Sequence, residues 1–393
     1  MSTPSSPLQN VISATARAMR PLWLALAWLP AAAGAVEVGG VELSGSGFLS
    51  LTAGKVIGGT HEDATDQGYR CPCFISDYAQ NGVYEHGGVQ FGPDSRLGLQ
   101  GTASIEGGRY ALTGQAVARG AGSGRISLEW LYATAELSSQ WTLQVGRKRL
   151  PLFISSEVQD VGYALPWTHL SPQLYGWEIV NYNGASLVYR RALGGDWLAS
   201  VQMLAGNETT QDAGYWRIYN GKHSKTASRW SDIVGGEAKL SYGVFDTRAV
   251  FIQSTTQSRQ TSAGETDFSP KARQRIYGLS FNMEGRVWVG RTEFLYIDRH
   301  ADYGSDHSQL YSLGRRFGPL LALLSYGHYQ QTLKNNAPGA EGHNVRSAGL
   351  RYEVDRSSAV KLQYDRWQDR AAPGYGSLHG DTQLLSVSYD RVF

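Results

Sequence analysis

The sequence predicts an all-β fold, a transmembrane antiparallel β-barrel of about sixteen strands with an inward-folded third extracellular loop. Three observations carry the prediction. Segments of alternating apolar and polar residues recur from residue 41 to residue 393 with no helical stretch between them. Many run to roughly ten residues, the length that crosses bilayer hydrocarbon when strands tilt by about 45°. The connections alternate between tight turns and long polar segments, as a barrel with short periplasmic turns and long extracellular loops requires. The chain closes on Gln383-Leu-Leu-Ser-Val-Ser-Tyr-Asp-Arg-Val-Phe393, with Leu385, Val387, Tyr389 and Phe393 on one face and Ser386, Ser388 and Asp390 on the other. Arg391 departs from the outward apolar set, at an interfacial depth where an arginine costs about 0–1 kcal/mol.

The first element is a leader. Arg17 and Arg20 precede the apolar run from Pro21 to Leu29, and Ala33-Gly34-Ala35 supplies the small residues of a cleavage site. Residues 1–35 therefore read as a secretory signal and residues 36–393 as one barrel domain, exported through the periplasm. After Ala35 no stretch approaches the roughly 18 consecutive apolar residues of a spanning helix, which excludes a helical inner-membrane protein. The composition, with 47 Gly, 22 Tyr and 11 Trp but 2 Cys, suits a barrel with aromatic girdles better than a disulfide scaffold. A formal charge of +2 offers no basic field for phosphates, so nucleic acid is excluded as a partner.

In chain order the alternation predicts strands at 41–53, 96–104, 109–119, 125–137, 141–149, 185–192, 197–205 and 233–242. The second half adds 245–253, 275–283, 287–298, 309–316, 320–331, 345–354, 359–367 and 382–393. In the first, Leu43, Leu49 and Leu51 oppose Glu42, Ser44, Ser46 and Ser50. In the fourth, Ile126, Leu128, Trp130, Tyr132 and Thr134 oppose Ser127, Glu129, Ala133 and Ala135. Tight turns fall at 106–108, 138–140, 194–196, 243–244, 284–286, 317–319 and 355–357, and the long connections are led by 55–94, 150–183, 207–232 and 254–274. Trp141, Trp197, Tyr242, Phe245, Trp288, Tyr296, Tyr329 and Trp367 are expected at the two membrane interfaces.

The opening Val41-Glu-Leu-Ser-Gly-Ser-Gly-Phe48, the block Leu128-Glu-Trp-Leu-Tyr-Ala133 followed by Val145-Gly-Arg-Lys-Arg-Leu-Pro151, and the terminal Phe393 resemble the Gram-negative porins. The resemblance implies a water-filled channel in outer-membrane lipid, often a homotrimer, with its third extracellular loop folded into the pore. It implies no cofactor.

The polar face of the strands places Arg96, Arg109, Glu129, Lys148, Glu237, Lys239, Arg248, Arg291, Glu293, Arg351, Glu353, Lys361, Asp365 and Asp390 toward a hydrated lumen, because Lys or Arg near the midplane of lipid costs about 2–4 kcal/mol. Arg147, Lys148 and Arg149 form a basic cluster at the mouth of the third long connection. That connection carries Phe153, Ile154, Tyr163, Leu165, Trp167, Leu170, Leu174, Tyr175 and Trp177, too many large side chains to hang in water. Packed inside the barrel, it would turn Glu157, Asp160, His169 and Glu178 toward the remaining passage; a cap over the mouth or a subunit contact is the alternative. Cys71-Pro72-Cys73 suits a small disulfide ring in an oxidising compartment. Its spacing to His61 and His86 matches no zinc pattern. His61, His86, His169, His223, His300, His307, His343 and His379 all fall in predicted loops, where histidine collects without a metal.

Passive diffusion of small hydrophilic solutes and ions is the function these features predict. A channel specific for a sugar or an anion is the nearest alternative. A barrel enzyme is a weaker one, since the sequence holds no G-x-S-x-G and no assignable nucleophile and base.

Overall fold

Backbone N–H and C=O groups at the edges of an alternating strand must find partners, and here each strand finds them in its neighbours in the chain. The computed structural model describes residues 35–60, 67–299, 304–334, 337–376, 378 and 380–393. Apart from Ala35 the predicted signal lies outside these residues, as do His61, His300 and His379.

Sixteen strands pair antiparallel in chain order. They are β1 (Val41–Gly59), β2 (Arg96–Ile105), β3 (Tyr110–Arg119), β4 (Ile126–Glu136), β5 (Trp141–Arg149), β6 (Asn181–Gly194), β7 (Trp197–Thr210) and β8 (Thr226–Tyr242). There follow β9 (Phe245–Gln260), β10 (Ala272–Glu284), β11 (Trp288–Arg299), β12 (Gly304–Phe317), β13 (Leu320–Thr332), β14 (Gly342–Glu353), β15 (Ser358–Asp369) and β16 (Thr382–Val392). Closure comes from β16 against β1, in register from Thr382 opposite Gly59 to Val392 opposite Phe48. At that seam Gly47 and Phe393 exchange backbone hydrogen bonds of 2.6 and 2.9 Å. The Phe393 ring lies where a Cβ on residue 47 would sit, so any larger residue there would have to displace the ring. A short strand, Val36–Val38, folds back on the start of β1.

Exposed apolar side chains cover the outside, among them Leu99, Ile126, Phe251, Tyr277, Leu279, Leu313, Leu324, Leu362 and Val387. Asp390, Ser388 and Ser386 are buried on the inside of β16, while Leu385 and Val387 are exposed, as the alternation predicts.

Several expectations need correction. Many strands run past their predicted ends; β9, for example, continues to Gln260 and β8 begins at Thr226. Where strands rise above lipid both faces are polar, so the alternation that marks a strand fades although its ladder continues. His307 and His343 consequently lie in β12 and β14 rather than in loops. Tyr329 and Trp367 are not girdle residues, because both are buried on the inner face. A further correction concerns β4, where the pairing jumps from Trp130 opposite Gln115 to Leu128 opposite Ala116. This β-bulge shifts the outward set from Ile126 and Leu128 to Leu131, Ala133 and Ala135, so Tyr132 turns inward.

The lumen is also less polar than the strand pattern predicts. Inward residues of the wall, including Ile252, Ile276, Leu295, Ile297, Leu310 and Leu323, pack against Leu152, Trp167, Leu174 and Trp177 of the third long connection. A second cluster joins Phe74, Tyr78 and Tyr84 of the first connection to Tyr215, Val345, Trp367 and Leu384. Fully burying one such side chain contributes about 1.5–3 kcal/mol, which is enough to hold both segments inside.

Candidate functional site

The third long connection leaves β5 at Leu150 and enters β6 at Asn181, and its polar contacts are made with inward-facing side chains of strands across the barrel. Arg248 of β9 donates to the Pro151 carbonyl. On β11, Glu293 accepts from the Ile154 N–H at 2.9 Å and the Tyr175 hydroxyl at 2.6 Å, while Arg291 donates to Ser155 Oγ at 2.8 Å. Arg351 of β14 donates to the carbonyls of Tyr163 and Leu165. Lys361 of β15, 1% exposed, donates to the carbonyls of Gly162 and Trp167 and pairs with Asp390 at 3.0 Å. That set of partners satisfies an ammonium that would otherwise be costly to bury. A Cβ at Gly162 would overlap Asp390 and the Ser50 hydroxyl, so glycine is what lets the segment meet the wall here. Further on, Trp167 Nε1 donates to Ser325 Oγ at 2.8 Å, and the Thr168 N–H donates to Gln363 at 2.9 Å.

His169 is sealed among these contacts, its Nδ1 3.3 Å from Asp94 and its Nε2 3.4 Å from Asp365. Burial opposes its charge, but Asp365 and Asp94 outweigh that and push its pKa up to about 10. Burial likewise opposes the Asp94 carboxylate, and His169 with Arg96 holds it below the usual carboxylate range. Asp94 also ties in the first connection, accepting from Tyr84 and Ser76 at 2.9 Å each. A disulfide joins Cys71 and Cys73 there, and Thr382 Oγ1 donates to the Cys73 carbonyl.

With those segments filling the β10–β16 side, open space remains along β3–β9. A cavity of about 460 Å³ lies beside Lys148, Arg190, Lys239, Arg248 and the exposed Glu157. Another of about 200 Å³ lies beside Arg119, Arg147, Glu178, Glu208 and Arg217. An ionic cluster stands between them. Arg119 donates to Asp160 at 2.9 and 2.7 Å and to Glu129 at 2.7 Å; Arg149 reaches Asp160 at 2.6 Å and Glu129 at 3.2 Å. Arg96 joins at 3.5 Å from Asp160. Burial opposes the Asp160 charge, and Arg119 and Arg149 hold its pKa low nonetheless. The β4 bulge falls at Glu129, so that Trp130 and Tyr132 face inward as Glu129 does, Tyr132 into the larger cavity.

The predicted residues thus separate into groups. Arg96, Glu129, Arg149 and Asp160 meet in the ionic cluster. Lys148 lines the larger cavity, over the Tyr132 ring at 5.2 Å. Arg147 is half-buried and paired with Glu208, and Glu178 accepts from Trp230 Nε1 at 3.1 Å. His169 faces no passage. Arg109 is a correction: it sits in the turn between β2 and β3, 55% exposed, 3.7 Å from Glu106, because the strand starts one residue later than its parity suggested. Arg119, Arg190 and Tyr132 were not foreseen as site residues. Arg119 shares the inward parity of Gln115, a signal available in the sequence; Tyr132 does not, because the bulge reverses it.

A closed antiparallel barrel of sixteen strands with its third long connection laid against the inner wall is a porin-like β-barrel. No protein-family model matches the chain, and no curated protein matches its sequence. Among solved structures it is similar to the outer membrane channel DcaP of Acinetobacter baumannii, at 13% identity and TM-score 0.56, over 92% of this chain and 100% of that one. The anion-selective porin from Comamonas acidovorans matches at 12% identity and TM-score 0.54, over 90% and 100%. OmpF of Salmonella typhi, in complex with daunomycin, matches at 11% and 0.55, over 92% and 100%. At these identities the likeness is one of fold.

Proposed function

We propose that the protein is an outer-membrane channel through which small hydrophilic solutes and ions diffuse passively along the β3–β9 side of the barrel. The observation that carries this reading is the pair of polar cavities with an ionic cluster between them, beside an inner wall packed by the first and third connections. The fold shared with outer-membrane channels supports the location, and so does the exposed apolar outer wall. Passive passage asks no bond-making of these residues, so the reading is of a channel and not an enzyme.

Preference for anions is a second reading that one observation favours. The larger cavity is lined by Lys148, Arg149, Arg190, Lys239 and Arg248 against Glu157, Glu237 and Asp246. Charges beside a narrow aqueous path act in a lower effective dielectric than bulk water, so this excess draws anions. Homotrimer formation belongs to the same proposal. The outer wall offers a concave apolar patch of about 350 Å³ lined by residues such as Ala103, Leu112, Ala133 and Leu143. Planar-bilayer recordings in a salt gradient test the channel and its charge preference together. Steady unit conductance with a reversal potential on the anion side is expected, and absence of conductance removes the proposal.

A further inference from the structure

Two arginines face each other on the outside of the barrel. Arg346 of β14 and Arg366 of β15 are register partners, and both are exposed. Their chain neighbours Val345, Trp367 and Asp365 are buried inside, so the two guanidinium groups leave the barrel on its outer face. Like charges directly opposite one another in an antiparallel pair are destabilising. Nothing within the described residues relieves them: neither guanidinium has an ion pair or hydrogen bond, and the flanking register partners, Tyr326 and Gln383, are neutral. The pair also marks a boundary. Toward the turn end the outer face carries exposed Leu324, Leu350 and Leu362; toward the loop end it carries His328, hydrogen-bonded to Asn344, and Gln368.

We propose that Arg346 and Arg366 form a site for the phosphate of an anionic glycolipid headgroup in the surrounding leaflet. Two adjacent guanidinium groups offer planar donor forks that match phosphate oxygens, and a phosphomonoester carries close to two negative charges, enough to relieve both. Tyr326 and Tyr364, half-buried beside the pair, suit the headgroup level, and the leucines below receive acyl chains. A lipid fits this site better than free phosphate because the pair stands directly above that apolar band. The inference rests on the outer-membrane reading, though not on conduction.

The test uses the full folded protein in neutral detergent and native mass spectrometry with three probes: a bis-phosphorylated glycolipid, the same lipid after phosphatase treatment, and inorganic phosphate. The expected result is retention of the phosphorylated lipid at least about tenfold above the other two, with that advantage lost in the R346Q/R366Q double variant and reduced in each single variant. Equal retention by the double variant, or of the dephosphorylated lipid, overturns the proposal. Retention of inorganic phosphate at the level of the lipid overturns it too, in favour of a free-anion site. Conductance recorded in parallel should be unchanged by R346Q/R366Q, which certifies that the variant is folded. A wild-type barrel that binds the lipid but does not conduct supports this site while removing the channel.

Discussion

Asp160 is the residue on which the ionic cluster turns, since Arg119, Arg149 and Arg96 all converge on its carboxylate. Removing one partner of a buried ion pair costs about 3–5 kcal/mol where the site stays dry, because the other charge is left uncompensated. Here Arg149 lines the larger cavity and Arg119 the smaller, and Glu129 still pairs with both, so the D160N variant should stay folded and present surplus positive charge to the passage. Its reversal potential should move toward anions, while K148Q together with R190Q should move it toward cations; both shifts should shrink at 1 M salt, where the Debye length is about 3 Å. His169 supplies a pH dependence. Its folded pKa of about 10 lies above the unfolded value of about 6.5. The contribution is therefore fully present below about pH 6.5 and lost as pH rises through about 10. Intrinsic fluorescence melts should show wild-type thermal stability falling between pH 7 and pH 10, and the H169Q variant losing most of that fall. Alternation and loop position suffice to turn Glu129, Arg149, Asp160 and Arg96 toward the barrel interior, where the structure places them. Neither could show that the four meet, since three strands and a loop bring them together.

At the scale of the element, the strands and the parity of the connections were legible because lipid imposes a strict period of two on the outer face. Two features were not. The β4 bulge inserts one residue without any local break in composition, and it reversed the faces of Trp130 and Tyr132. The first connection reads as a long polar loop, yet Phe74 and Tyr84 are fully buried and the hairpin Phe74–Asp77 with Gly82–Tyr84 packs inside. Within residues 74–94 of the first connection, limited proteolysis of the folded protein should therefore cut near exposed His86 to Phe91, and it should also cut the exposed stretch 261–267. Cleavage within 74–84 would show that the hairpin does not stay inside. For the third connection, deleting residues 158–173 removes Asp160, Lys361's two carbonyl partners and the Trp167 anchor without touching any barrel ladder bond. Single-channel conductance should rise in that variant, and heat-modifiable migration should persist because the sixteen strands still close.

The whole molecule is a barrel partitioned lengthwise. One side is packed by the first and third connections against β9–β16 and β1, and the other is left open along β3–β9, with β9 bordering both. Alternation alone predicts a uniformly hydrated lumen, because it cannot distinguish an inward isoleucine that seats a loop from one that is merely misplaced. The partition is most directly tested by cysteine accessibility during single-channel recording, since the native Cys71 and Cys73 are tied to each other. Ser200 lines the larger cavity, whereas Ser325 accepts the Trp167 indole hydrogen bond on the packed side. A charged methanethiosulfonate reagent should cut the current through S200C and leave S325C unaffected. Block of S325C with S200C unchanged would put the conducting path on the other side of the barrel and contradict the account.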